Sequence, residues 1–252
     1  MTVNLRDLTS YLDEYLGVAD ISDSPQALNG LQVENGGTVT RMVATVDVCR
    51  ATIDRAVEIG ADCMLVHHGL FWGGLQPLVA HHGQRVRTLI KHDIALYSAH
   101  LPLDLHPEVG NNVVLARALR LSNLERFGEY EGETIGYAGT MAASRDELVQ
   151  RIREVLRVEP KVISTGPESV KRVGVVSGGA GKLITQAAQA GLDTYVTGEG
   201  SHHTYFEAEE AGVNLVYAGH YATETVGVKA LAGHLEEQFG LPWEFIDHPT
   251  GL

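Results

Sequence analysis

Cysteine is almost absent from this chain of 252 residues: only Cys49 and Cys63 occur, and no Cys-x-x-Cys. That excludes a disulfide scaffold, a thiolate zinc knuckle and a thioredoxin-type redox motif. Positive charge is scarce too, with 19 Lys and Arg against 32 Asp and Glu, a formal charge of −13. A net anion of this size argues against broad electrostatic binding to nucleic acid or an acidic membrane. Aromatics make up 6% of the residues, and no apolar run approaches the ~18 residues of a membrane span. The start, MTVNLRDLTSYLDEYL, lacks the basic and apolar regions of a signal peptide, so the expected compartment is the cytoplasm.

Histidine is abundant. There are twelve, and seven of them (His67, His68, His81, His82, His92, His100 and His106) fall within forty residues. Neutral imidazole is a metal ligand and a proton carrier near neutral pH.

The periodicity predicts alternating strands and helices. Leu5, Leu8, Leu12 and Leu16 mark an opening helix capped by Asn4. Strands are expected at 42–46, 63–66 and 94–97, with helices between them, the first capped by Asp47 and ended by Gly60. A helix near 112–121 follows. The second half reads as an extended segment over 133–143, then a helix opened by the capping box Ser144-Arg-Asp-Glu147. Strands at 172–176, 193–197 and 213–218 alternate with helices at 180–190, 203–211 and 223–239, and a short strand lies near 243–246. This rhythm indicates an α/β protein with mostly parallel sheets flanked by helices.

The chain also repeats itself. Residues 41–69 overlay 172–200 with Arg41 on Arg172, Gly60 on Gly191, Asp62 on Asp193 and Gly69 on Gly200. Farther on, Tyr97 overlays Tyr217, His100 overlays His220 and Asp104 overlays Glu224. Two similar α/β halves are therefore expected, 1–126 and 127–252, the first carrying His67, His68, His100 and Asp104 and the second His220 and Glu224.

Three stretches carry chemistry. Val66-His67-His68-Gly-Leu-Phe-Trp72 follows a strand whose end turns, which would let both imidazoles converge at the edge where open α/β sheets bind ligands. His100-Leu-Pro-Leu-Asp104 and His220-Tyr-Ala-Thr-Glu224 are each His-x3-acid after a strand. On a helix that spacing puts both groups on one face, and Pro102 argues against a helix for the first pair. Nitrogen and carboxylate donors together suit Zn, Mn, Fe, Co or Ni rather than Ca or Mg.

HHGLFWG, IALYSAH with LPLD, GHYATE and the early NGLQVE together resemble the Nif-three-like (YbgI-type) family, widely labelled type 2 GTP cyclohydrolase I. The resemblance runs over essentially the whole chain. It implies two divalent metal ions per subunit between two similar α/β domains, held by His67, His68, Asp104, His220 and a bridging Glu224, with His100 beside the site. It also implies a ring-shaped homohexamer. Five ligands with one bridging carboxylate leave open positions on both ions. The expected function is a metal-dependent hydrolase working through a bridging hydroxide, GTP cyclohydrolase type 2-like by resemblance, with Glu224 and His100 in catalytic roles. The alternative is a non-catalytic metal carrier, insertion or sensing protein, with a purely structural site ranked last.

The positive ion pair favours a small anionic or nucleotide-like substrate, and Glu199, His202 and His203, after the strand matching that of His67, are expected to contact it. Ser177-Gly-Gly-Ala-Gly-Lys182 lacks phosphate-loop spacing, with Val176 and Leu183 at two defining positions, and reads as a glycine-rich turn. Phe71 and Trp72 are expected to wall the site or an interface, Cys63 to be buried and inert, and His81, His82, His92, His106, His234 and His248 to lie on the surface.

Overall fold

The computed structural model describes residues 1–252, which divide into two compact units: 1–109 with 227–248, and 110–226 with 249–252. The first unit contains β1 (Val3–Asn4), α1 (Leu5–Leu16), β2 (Gly30–Val33), β3 (Thr38–Val39), β4 (Met42–Asp47), α2 (Arg50–Ile59), β5 (Cys63–His68), α3 (Ala80–Lys91), β6 (Ala95–Ser98) and the single turn α4 (Leu101–Asp104). The second contains α5 (Asn111–Ala118), β7 (Ser122–Tyr130), β8 (Glu133–Ser144), α6 (Arg145–Leu156), β9 (Lys161–Ile163), β10 (Ser169–Val176), α7 (Ile184–Gln189), β11 (Thr194–Thr197), α8 (Thr204–Ala211) and β12 (Asn214–Tyr217). Helix α9 (His220–Phe239) starts in the second unit and continues into residues of the first, followed by β13 (Trp243–Phe245). No helix is long and apolar enough to cross a membrane.

Each unit is built on a parallel triplet. In the first, the order is β13-β4-β5-β6-β2, with only β2 antiparallel. In the second it is β7-β8-β10-β11-β12-β9, with β10, β11 and β12 parallel and the outer strands antiparallel. The central strands read as continuous apolar runs because both sheet faces are covered: Met42–Val46 and Cys63–Val66 are all buried. Val43, Met64 and Leu96 pack with Ile53 and Leu89 in one core, and Val173, Val196 and Val216 with Leu148 and Ile152 in the other. Each such side chain contributes roughly 1.5–3 kcal/mol by burial.

Local signals set most helix ends. Asn4 Oδ1 accepts from Arg6 N at 2.9 Å, and Gly17 and Gly60 close α1 and α2 at φ 62° and 72°. The capping box of α6 is reciprocal: Ser144 Oγ accepts from Glu147 N at 3.2 Å, and Glu147 Oε2 accepts from Ser144 N at 2.7 Å.

The duplication is visible in hydrogen bonds. Asp62 accepts from the amides of Thr40 and Arg41; Asp193 accepts from those of Lys171 and Arg172. Both pairs stand in the register of the sequence repeat. The third strand corrects that register. Val66 pairs with Ser98 and Thr197 with Tyr217, so Tyr217 answers to Ser98 rather than Tyr97. His100 then stands two residues beyond its paired strand position and His220 three, with Gly219 at φ 89° before it.

Several local expectations are corrected. Asp47 does not cap α2; Cys49 occupies that position. Residues 180–190 are a 3-10 turn (Gly181–Leu183) followed by the shorter α7. His82 and His106 are buried rather than superficial, and His234 stacks on Tyr15 and hydrogen-bonds Tyr11 at 2.6 Å. Burial lowers the pKa of His106, whose Nδ1 accepts from Val109 N at 3.2 Å.

Candidate metal centre

In the first unit, His67 and His68 are the last residues of β5. The strand does not turn before them, as expected from sequence; it runs through His68, which pairs with Asp47 of β4. Their rings still lie 4.7 Å apart between centroids, with the His100 ring 5.1 Å from the first and 5.6 Å from the second. One ring nitrogen from each of the three lies within 4.8 Å of the others. Asp104 completes the group, its Oδ2 3.6 Å from His67 Nε2. A helical turn does form here despite Pro102, which occupies the first turn of α4, where a proline costs no intrahelical hydrogen bond.

Each ring is held through Nδ1. His67 Nδ1 donates to the Ala99 carbonyl at 2.9 Å, His68 Nδ1 to Asp47 Oδ1 at 2.8 Å, and His100 Nδ1 to Asp23 Oδ1 at 2.8 Å. A carbonyl and an ionised carboxylate can only accept, so Nδ1 carries a proton, and in the neutral ring it is Nε2 that has the lone pair. Partners of this kind fix tautomer and ring orientation around metal-binding histidines. Asp47 and Asp23 carry no sequence signal for the role, since they lie 21 and 77 residues from their histidines.

The early NGLQVE stretch supports the same residues. Asn29 Oδ1 accepts from His100 N at 2.7 Å, and its amide donates to Asp23 Oδ2 at 2.8 Å. Gln32 Oε1 accepts from Leu70 N at 2.8 Å, steadying the turn after His68. Burial pushes the Asp23 carboxyl upward, but bonding and attraction to His100, with bonds from Asn29 and Leu101, outweigh it and leave the group below its ordinary value. Trp72 walls the group, edge-on to His68 at 5.7 Å and to His100 at 4.9 Å.

In the second unit, His220 opens α9 and Glu224 follows one turn later, His220 Nε2 lying 3.2 Å from Glu224 Oε1. Its Nδ1 lies 2.8 Å from Glu199 Oε1, the same anchoring as in the first unit. Glu224 foremost, then Glu199, raises the His220 pKa to about 9, against a smaller opposing effect of burial. The glycine-rich turn gives this pair room. A Cβ on Gly178 would stand 2.4 Å from Glu224 Oε1, and one on Gly198 2.7 Å from His220 Cα. Thr223 Oγ1 accepts from Gly178 N at 3.0 Å and fastens the turn to α9.

Of the three residues expected to touch substrate, Glu199 thus supports His220. His202 is exposed, edge-on to Phe206 at 5.6 Å, and lines a cavity of about 330 Å3 with Lys161, Tyr205 and Tyr217. His203 is exposed and caps α8 through its backbone, its carbonyl accepting from Phe206 N at 3.0 Å. Cys63 is buried, which raises its thiol pKa to about 12 and removes the thiolate.

The donor chemistry fits divalent transition metals: four imidazoles with Nδ1 anchored, and two carboxylates. A family model described as Duf34/NIF3 (NGG1p interacting factor 3) matches residues 3–250. A Deinococcus radiodurans protein named "GTP cyclohydrolase 1 type 2 homolog" is 45% identical over 248 residues, 98% of this chain and 94% of that protein. A Pyrococcus abyssi protein of the same name is 44% identical, covering 98% of each chain. Among solved structures, a protein of Thermus thermophilus is 44% identical with a TM-score of 0.92, covering 99% of this chain and 100% of that one. The structure described as "protein ybgI, unknown function" is 40% identical with a TM-score of 0.90 and the same coverage. By its family match over nearly its whole length and by these relatives, the chain belongs to the Duf34/NIF3 family.

Proposed function

We propose that this protein is a dinuclear metal-dependent hydrolase acting on a small anionic or nucleotide-like substrate. His67, His68, Asp104, His220 and Glu224 are the residues that would hold two divalent ions. The observation that carries this reading is the anchoring of all four imidazoles, those of His67, His68, His100 and His220, through Nδ1 to an acceptor. A surface histidine needs no such partner; a metal ligand is oriented by it. The name shared by the relatives supports the cyclohydrolase class of reaction.

A pair of divalent ions, when bound, activates water near neutral pH and stabilises developing negative charge. The chain's own groups do the rest. Asp47, Glu199 and the Ala99 carbonyl hold the ligand rings in the tautomer that presents Nε2. His100, fixed by Asp23 and Asn29, takes a proton at Nε2 from the attacking water as its oxygen bonds the electrophilic carbon or phosphorus. It returns that proton to the leaving group as the substrate bond breaks. Trp72 excludes bulk water from one side. Glu199, beyond positioning His220, and His202 and His203 face the substrate in this reading.

The test is metal analysis of the purified protein, followed by a panel of nucleotides, phosphodiesters and cyclic amides. Two ions per chain and turnover abolished in Glu224→Ala support the reading. Two ions per chain, no turnover on any substrate and ready transfer of metal to an apo-protein would instead establish a metal carrier. The ring-shaped hexamer belongs to the same reading, and a monomer mass by light scattering would remove it.

A further inference from the structure

The crevice between α2 and α3 holds a cavity of about 220 Å3. Arg50, from the first turn of α2, and Arg85 and Arg87, from α3, line it. His81 and Thr88 add polar groups, and Asp54 is the single acid in the lining. Three arginines among eight lining residues stand out in a chain of charge −13.

The three arginines are differently held. Arg85 donates from Nε to the His81 carbonyl and from Nη1 to the Val48 carbonyl, both at 3.4 Å. Neither bond uses Nη2, so the fork is positioned with donors to spare. Arg50 meets Asp54 at 3.5 Å with both side chains more than half exposed, a pair of the kind worth at most about 1 kcal/mol and readily exchanged for a better acceptor. Arg87 makes no ion pair with an acid.

Size and field narrow the ligand. The cavity, of about 220 Å3, is partly open to solvent. That volume suits a phosphate or diphosphate group and falls below the roughly 300–1,000 Å3 of drug-sized sites. Guanidinium forks match phosphate oxygens bidentately. A long polyanion would be repelled by the rest of the acidic surface, whereas a small one feels mainly the local arginines.

We infer that this cavity is a binding site for a small phosphate-bearing anion, gripped by Arg50, Arg85 and Arg87. None of its lining residues is a proposed metal ligand, so it stands whether or not the hydrolase reading holds.

The test is calorimetric titration of the full-length, chelator-stripped protein at low ionic strength with inorganic phosphate, diphosphate and a short phosphate monoester. One saturable site per chain is expected for diphosphate. Arg85→Gln combined with Arg87→Gln should raise Kd at least about tenfold, the loss expected for charge-assisted hydrogen bonds. Asp54→Asn should tighten binding about two- to fivefold by removing the competing acid, which keeps the test decisive if the double variant folds poorly. Glu224→Ala should leave Kd unchanged. Monoester binding as tight as inorganic phosphate would identify the ligand as a terminal phosphate, and exclusion of the monoester would identify it as the free ion; both support the site. Absence of saturable binding, an unchanged Kd in a folded double variant, weaker or unchanged binding in Asp54→Asn, or tighter binding of an oligonucleotide than of diphosphate would overturn it.

Discussion

Asp23 and His100, 77 residues apart in the chain, share a hydrogen bond of 2.8 Å. The same carboxylate also accepts from Asn29 and from the Leu101 amide. One buried side chain thus fixes both the ring and the backbone of the turn that leads to Asp104. Its folded pKa lies below the ordinary value, and the sign follows from linkage: a depressed carboxylate adds stability above its unfolded pKa of about 3.9, which is lost as pH falls through the folded value. Melting temperature followed between pH 6 and pH 3 should fall on acidification, and Asp23→Asn should start lower and fall less steeply. A parallel fall in both proteins would contradict the assignment.

His220 gives a second dependence, of opposite sign. Its pKa is raised to about 9 by Glu224 and Glu199. Without metal, the stability from the charged ring is fully present below about pH 6.5, its unfolded value, and lost as pH rises through about 9. Metal must displace that proton, so binding near pH 7 should release it. Calorimetry in buffers of different ionisation enthalpy would count the proton, and Glu224→Gln should reduce the count.

Gly178→Ala tests the glycine-rich turn. The new Cβ would meet Glu224 Oε1 at 2.4 Å, and the backbone stands at φ 66°, a left-handed conformation costing a non-glycine residue of order 1–3 kcal/mol. The expected outcome is a folded, less stable protein with sharply reduced metal content by elemental analysis. Full metal occupancy would show that Glu224 is not held as described.

Asp62 and Asp193 should behave alike. Each accepts from two consecutive backbone amides at the start of its unit's parallel triplet. Alanine at either position hands those largely exposed amides to water and removes their bonds to a charged acceptor, at about 1.5–3 kcal/mol. Chemical denaturation of the two variants should give comparable losses; a large disparity would weaken the case for equivalent roles in a duplicated fold.

The sequence by itself determined what depends on near neighbours. The leucine spacing of α1, the Ser144–Glu147 box and the glycine stops are local, and a helix reads them within a few residues. The donor types were also legible, because imidazole and carboxylate are chemistry a side chain carries anywhere. The alternation of strands and helices gave the α/β class, and the repeat exposed Asp62 and Asp193 as counterparts.

Tertiary structure decided the rest. Asp23, in the loop before β2, and Asp47 and Glu199, at or just past strand ends, became ring anchors only when segments far apart in the chain were brought together. The outer strands β7 and β9 went unread because β7 is largely exposed and β9 spans only three residues. The register of the third repeated strand, and the sharing of α9 between two units, follow from packing and pairing across the fold. Periodicity reports which face of an element is buried, whereas a hydrogen bond between distant residues depends on the register of whole sheets, which no short stretch of sequence contains.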